Sequence, residues 1–106
     1  MNTSNFKKTT LADVIEYLCK RPRMYTRRGS FNEVIAFIEG YTTADRPNGS
    51  RAEWHGFSRW LSEKFDYRSD KVAAEYLGES FPDDGEALEN LARLYREYRL
   101  NESNQQ

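Results

Sequence analysis

Four times in this chain a short polar residue stands three places ahead of an acid, at the head of a helically spaced apolar set. The pairs are Thr10 with Asp13, Ser30 with Glu33, Ser50 with Glu53 and Asp83 with Glu86. This is the spacing of the capping box: the first side chain accepts from a free helical amide, and the acid reaches back to the first residue's own amide. Ser69 offers a fifth start. A chain that marks helix starts this often has little freedom to be anything but a set of amphipathic helices.

The apolar spacing behind each start agrees. Leu11, Val14, Ile15 and Leu18 form one face at a period of 3.6. Phe31, Val34, Ile35, Ile38 and Tyr41 form the next, with Phe37 beside them, and Trp54, Phe57, Leu61 and Phe65 a third, with Trp60 on its border. Val72, Ala73, Tyr76 and Leu77 suit a shorter fourth helix. A fifth is predicted from about Asp84 to Leu100, burying Ala87, Leu88, Leu91, Leu94 or Tyr95, and Tyr98. Val34, Ile35 and Ile38 would suit a strand by type, but they do not alternate, so periodicity decides for helix. Ile35 and Leu91 are expected in the core.

The breaks are equally local. Pro22 has no amide to donate and pushes Arg21 out of helical geometry, which ends the first helix. In the linker that follows, Met24 and Tyr25 are expected to tuck under the helix ends while the arginines point outward. Gly29 permits a positive φ before the second helix. Arg46-Pro47-Asn48-Gly49 reads as a turn and Phe81-Pro82 closes a later connection. Gly40 sits inside a helix at a cost of about 1 kcal/mol against Ala, which close approach of a neighbouring helix, or of Trp54 or Trp60, would offset.

The fold class is therefore all-α: a compact single-domain bundle of about five short amphipathic helices over residues 1–106, with 1–8 and 101–106 as flexible tails. An α+β fold with a short extended segment near Tyr67 is the alternative. At this length a domain buries roughly two-thirds of the surface of its unfolded chain, so a core is possible without staples. With one cysteine, Cys19, there is no internal disulfide, and the longest apolar runs are only a few residues, too short for a membrane span. A cytoplasmic protein without membrane association is expected.

Catalysis finds little to work with. His55 is the single histidine and lies among Trp54 and Phe57, with no nucleophile and orienting acid in a recognisable arrangement. Cys19 falls near the C-terminal end of the first helix, where the helix dipole opposes a thiolate. One His and one Cys make no metal site, and Asp83-Asp84-x-Glu86 lacks the alternating ligands of a calcium loop, so helix capping is the better account. The expectation is a protein that is not an enzyme and uses no metal, cofactor or small-molecule substrate.

Two charge clusters remain. Lys20, Arg21, Arg23, Arg27 and Arg28 lie within nine residues and flank Tyr25, a mix that suits phosphate contact and stacking or a solvated linker. Between Ala74 and Asn90 stand Glu75, Glu79, Asp83, Asp84, Glu86 and Glu89 with no Lys or Arg, which suits either helix N-termini or a basic partner. Formal net charge is −1, without the basic excess usual for a nucleic-acid domain.

The series Arg21-Pro22-x-Met24-Tyr25, Ser30-Phe31, Ala36-Phe37-Ile38-x-Gly40-Tyr41 and Gly56-Phe57-x-x-Trp60-Leu61 resembles small bacterial proteins of the RPxMY type. Many of these look like immunity proteins of polymorphic or contact-dependent growth inhibition toxin systems. The resemblance covers roughly residues 11 to 65, and Arg23 and Arg27 stand where relatives commonly carry Gly. It implies a cytosolic protein that neutralises a cognate toxin, often a nuclease and often the C-terminal domain of a larger secreted protein, by stoichiometric association. On charge, the interface is expected at Glu75, Glu79, Asp83, Asp84, Glu86 and Glu89, or alternatively at Arg23, Arg27 and Arg28. The competing function is a small nucleic-acid-binding regulator using the arginine loop 20–28, which the charge balance disfavours.

Overall fold

The computed structural model describes residues 10–66 and 72–104. They form six helices and one 3-10 turn: α1 Leu11–Lys20, α2 Pro22–Tyr25, α3 Phe31–Ala44, the turn Arg46–Asn48, α4 Ser50–Phe65, α5 Ala73–Ser80 and α6 Asp84–Asn104. No strand occurs among the described residues, and the fold is an all-α single globule. The cap expected at Ser69 and the extended segment considered near Tyr67 lie outside the described residues.

Two of the capping boxes form in full. Asp13 N–H donates to Thr10 Oγ1 and Thr10 N–H to Asp13 Oδ2, both at 3.2 Å. Ser30 and Glu33 make the same exchange at 3.2 Å, and Glu33 Oε1 also accepts from Arg28 N–H at 2.9 Å. Asp83 caps α6 by accepting from Glu86 N–H at 3.0 Å.

The Ser50–Glu53 box does not form. Ser50 is the first residue inside α4, behind Gly49 at φ +90°, and its hydroxyl donates to the Asp45 carboxylate. Asn48 Nδ2 donates to the same carboxylate at 2.6 Å, and the two donors hold the Asp45 carboxyl below the usual carboxylate range. The 3-10 turn brings a charged acceptor to the hydroxyl, and a charge-assisted bond outcompetes one between neutral groups. Glu53 is thereby released to α6, where it accepts from Tyr95 Oη and from Arg99 Nη1, the latter at 2.9 Å.

Helix α6 packs against α1, α3, α4 and α5, and α3 in turn touches α1, α4, α5 and α6. Between them lies one core, with Leu11, Ile15, Leu18, Val34, Ile38, Leu61, Leu77, Leu91 and both Leu94 and Tyr95 buried. Ile35 and Leu91 are in it, as expected. Phe57 is the centre of an aromatic cluster, with the ring centroids of Trp54, Trp60, Tyr95 and Tyr98 at 5.6, 6.2, 5.0 and 5.7 Å.

Gly56 is the glycine this packing requires, since a Cβ there would lie 2.6 Å from Tyr98 Oη. Gly40, expected to admit a neighbour, has none: nothing lies within 4 Å of where its Cβ would be. Val72 and Phe65 also depart from expectation. Val72 is the exposed N-cap of α5, and Phe65 is exposed, stacked on Tyr76 at 5.3 Å. Helix α6 continues four residues past Leu100 to Asn104, because Asn101-Glu102-Ser103-Asn104 contains no Pro or Gly to stop it.

Candidate functional site

The segment between α1 and α3 carries the candidate site. Pro22 does more than end α1: with φ fixed for helix and no amide to satisfy, it starts the single turn α2 at its first position. That turn aims Met24 and Tyr25 away from the core. Met24 is 66% exposed and Tyr25 45%, so the expectation that they tuck under the helix ends is wrong.

Phe37, on the outward side of α3, is 40% exposed and meets Tyr25 edge to face with ring centroids 6.3 Å apart. Gly40 lies one turn along the same side of α3 and leaves that surface flat. Tyr25 and Phe37 thus share one open face, and Met24, the residue before Tyr25, is exposed as well.

This face is held, not loose. Thr26 N–H and Thr26 Oγ1 both donate to Pro22 O at 2.9 Å, and Gly29 N–H donates to Thr26 Oγ1 at 2.9 Å. Arg28 N–H is fixed on Glu33, whose carboxyl is held below the usual range first by the Ser30 amide and also by the Arg28 amide and charge. Gly29 takes φ +71°, and a Cβ there would come within 2.9 Å of Arg23 Cγ.

Arg21, Arg23, Arg27 and Arg28, in and flanking α2, are exposed, and none forms an ion pair with the described residues. Arg21 Nη1 rests 3.9 Å from Met24 Sδ. By contrast Lys64 and Arg93 pair with Glu97, Arg96 with Glu16 and Arg99 with Glu53.

The acidic stretch is divided by the fold. Asp83 caps α6, and Asp84 Oδ1 accepts from Phe31 N–H at 3.0 Å, satisfying the first free amide of α3. Glu75 and Glu79 are exposed on α5 and Glu86 and Glu89 on α6. Glu89 lines a cleft together with Lys20 and Arg96.

Asp84→Ala is expected to lower stability by about 1 kcal/mol, by orphaning a helix-start amide. Urea unfolding checks it. Asp84→Asn, which keeps an acceptor oxygen, should recover part of the loss.

His55 is exposed on α4. Cys19 lines the same cleft between α1 and α6, and burial, followed by the charge of Glu16, pushes its thiol up from 9.0 to about 12. A raised value favours the protonated form in the folded state, so the associated stability is intact below pH 9.0 and is lost as pH rises toward 12.

Tyr95, raised first by burial and then by its bond to Glu53, adds a loss of the same sign above its ordinary 10.0. Unfolding free energy is therefore expected to fall as pH rises above 9.0, with a slope from the thiol of up to about 1.4 kcal/mol per pH unit. Cys19→Ala should flatten the first part of that fall in denaturant titrations.

Among the described residues no group of His, Cys, Asp and Glu converges as a metal site, and no helix is long and apolar enough to cross a membrane. What the geometry offers is a pre-ordered surface of aromatic, thioether and guanidinium groups. Met24, Tyr25 and Phe37 stand out in the sequence as large apolar residues, but the sequence does not say that α2 and α3 leave them exposed. Comparison with protein-family models, with curated proteins and with solved structures gives no match to this chain.

Proposed function

We propose that this protein acts by stoichiometric protein–protein association, as a cytoplasmic immunity protein that neutralises a cognate toxin. The resemblance of its Arg21 to Tyr41 stretch to RPxMY-type proteins supplies the class of function. The observation that carries the reading is the exposed Tyr25–Phe37 ring pair, with exposed Met24 and four exposed arginines in the same short segment as Tyr25. Aromatic residues, Met and Arg are the types enriched in protein interfaces, where they carry most of the binding energy. Contiguous exposed apolar groups rimmed by polar ones mark such sites.

The acidic alternative is weaker on the same criteria. Asp83 and Asp84 are committed to helix starts, which leaves Glu75, Glu79, Glu86 and Glu89 spread over two helices.

The test is co-production with the polypeptide encoded immediately upstream. The expected result is a one-to-one complex on size exclusion and rescue of growth that is otherwise arrested by that polypeptide. No complex and no rescue would reject the reading. A complex that survives change of Tyr25 and Phe37 but is lost when Glu75, Glu79 and Glu86 become Lys would move the interface to the acidic side.

A further inference from the structure

Resting on that binding function, the geometry points to a partner surface that is rich in carboxylates and brings its backbone against Gly40. Two independent features of this face lead there. The first is charge. Arg21, Arg23, Arg27 and Arg28 crowd one short segment without an ion pair among the described residues, and the one carboxylate held there, Glu33, is turned to the amides of Arg28 and Ser30. A short exposed segment that concentrates guanidinium groups beside exposed apolar side chains in sequence is complementary to carboxylates, which Arg engages through paired hydrogen bonds.

The second is Gly40. Glycine in the middle of a 14-residue helix is unfavourable, and inside the molecule nothing uses the space it leaves. It lies one turn from Phe37 on the exposed side of α3. A missing Cβ beside an aromatic anchor lets another main chain approach closely, and a folded or extended polypeptide has one to bring.

A nucleic acid fits less well. Its phosphates extend along the strand, and beyond a local patch it would meet a chain of net charge −1. A carboxylate-rich protein face needs only the local patch. The attraction also sets association rate more than residence time, so the charge should be read in kinetics.

The experiment measures association of the wild-type chain and two variants with the upstream-encoded polypeptide, by stopped flow at low and moderate salt. Reversal of Arg23, Arg27 and Arg28 to Glu should slow association at least tenfold and remove most of its salt dependence. Gly40→Leu should raise Tm or leave it unchanged, since Leu is the better helix former, yet weaken binding at least tenfold. Faster association on arginine reversal would mean a cationic partner face, and unchanged association would mean another surface; either overturns the proposal while the binding function stands.

A wild-type chain that forms no complex removes both. In parallel, a labelled 20-residue Glu-rich peptide and a single-stranded oligonucleotide of equal charge are titrated against the wild type. Tighter binding of the peptide supports the proposal, and tighter binding of the oligonucleotide, lost on arginine reversal, would replace it with a nucleic-acid partner.

Discussion

Phe57→Ala is expected to lower the unfolding free energy by about 3–5 kcal/mol, the range for deleting a fully buried aromatic ring. Phe57 is 0% exposed and touches four other aromatic rings contributed by α4 and α6. The cavity left by its removal would be walled by Trp54, Trp60, Tyr95 and Tyr98. These side chains cannot collapse into it easily.

Tyr95 is bound to Glu53, Glu53 is bound to Arg99, and the Tyr98 hydroxyl is set against Gly56. Partial relaxation keeps the cost of a cavity high. Since a domain of this size has only about 5–15 kcal/mol in total, the variant should sit close to its folding threshold. Urea unfolding followed by tryptophan fluorescence reports on the same cluster. A loss below about 1 kcal/mol would mean that α4 and α6 close over the gap, and that the cluster is not the main tie between them.

How far the sequence carries depends on how local each interaction is. Thr10 with Asp13 and Ser30 with Glu33 are legible because both partners lie within four residues and the geometry is that of the helix itself. The same spacing at Ser50 and Glu53 misleads. Its outcome is decided by Asp45, which the 3-10 turn carries to the serine, and by Tyr95 and Arg99, more than forty residues away.

Asp84 shows the same limit from the other side. It reads as an acid of an N-terminal turn, and it is one, but its carboxylate is engaged with Phe31 of another helix. The two glycines exchange roles for a related reason. Gly40 looks like a packing glycine and faces open space, while Gly56, which the sequence marks only as part of a motif, is the one held against Tyr98.

The candidate site was half legible. Arg23, Arg27 and Arg28 were recognisable as a basic loop, and their exposure needs no tertiary knowledge. The exposure of Met24 and Tyr25 does. Apolar side chains beside a proline break are most simply placed against the nearest helix ends, and only the helical turn begun by Pro22 shows them pointing outward. Phe37 follows the same rule, since its place on α3 is set by which side Val34, Ile35 and Ile38 bury.

The second large effect is expected in binding and not in stability. Tyr25→Ala and Phe37→Ala should each weaken the proposed protein–protein complex by about 2 kcal/mol, roughly thirtyfold in Kd, as truncation of a central aromatic anchor does. Both rings are substantially exposed in the free protein, so their removal should change unfolding free energy by no more than about 0.5 kcal/mol.

Because the rings meet edge to face at 6.3 Å, the double variant should lose less than the sum of the two single losses. The segment that presents Tyr25 is already fixed by Thr26 on Pro22 and by Glu33 on Arg28, so little ordering opposes binding and the lost contact should appear almost entirely as faster dissociation. Titration calorimetry and dissociation rates on the three variants make the measurement. If the variants instead melt several degrees lower and bind as before, the Tyr25–Phe37 pair is a clamp between α2 and α3, and the binding surface lies elsewhere on the molecule.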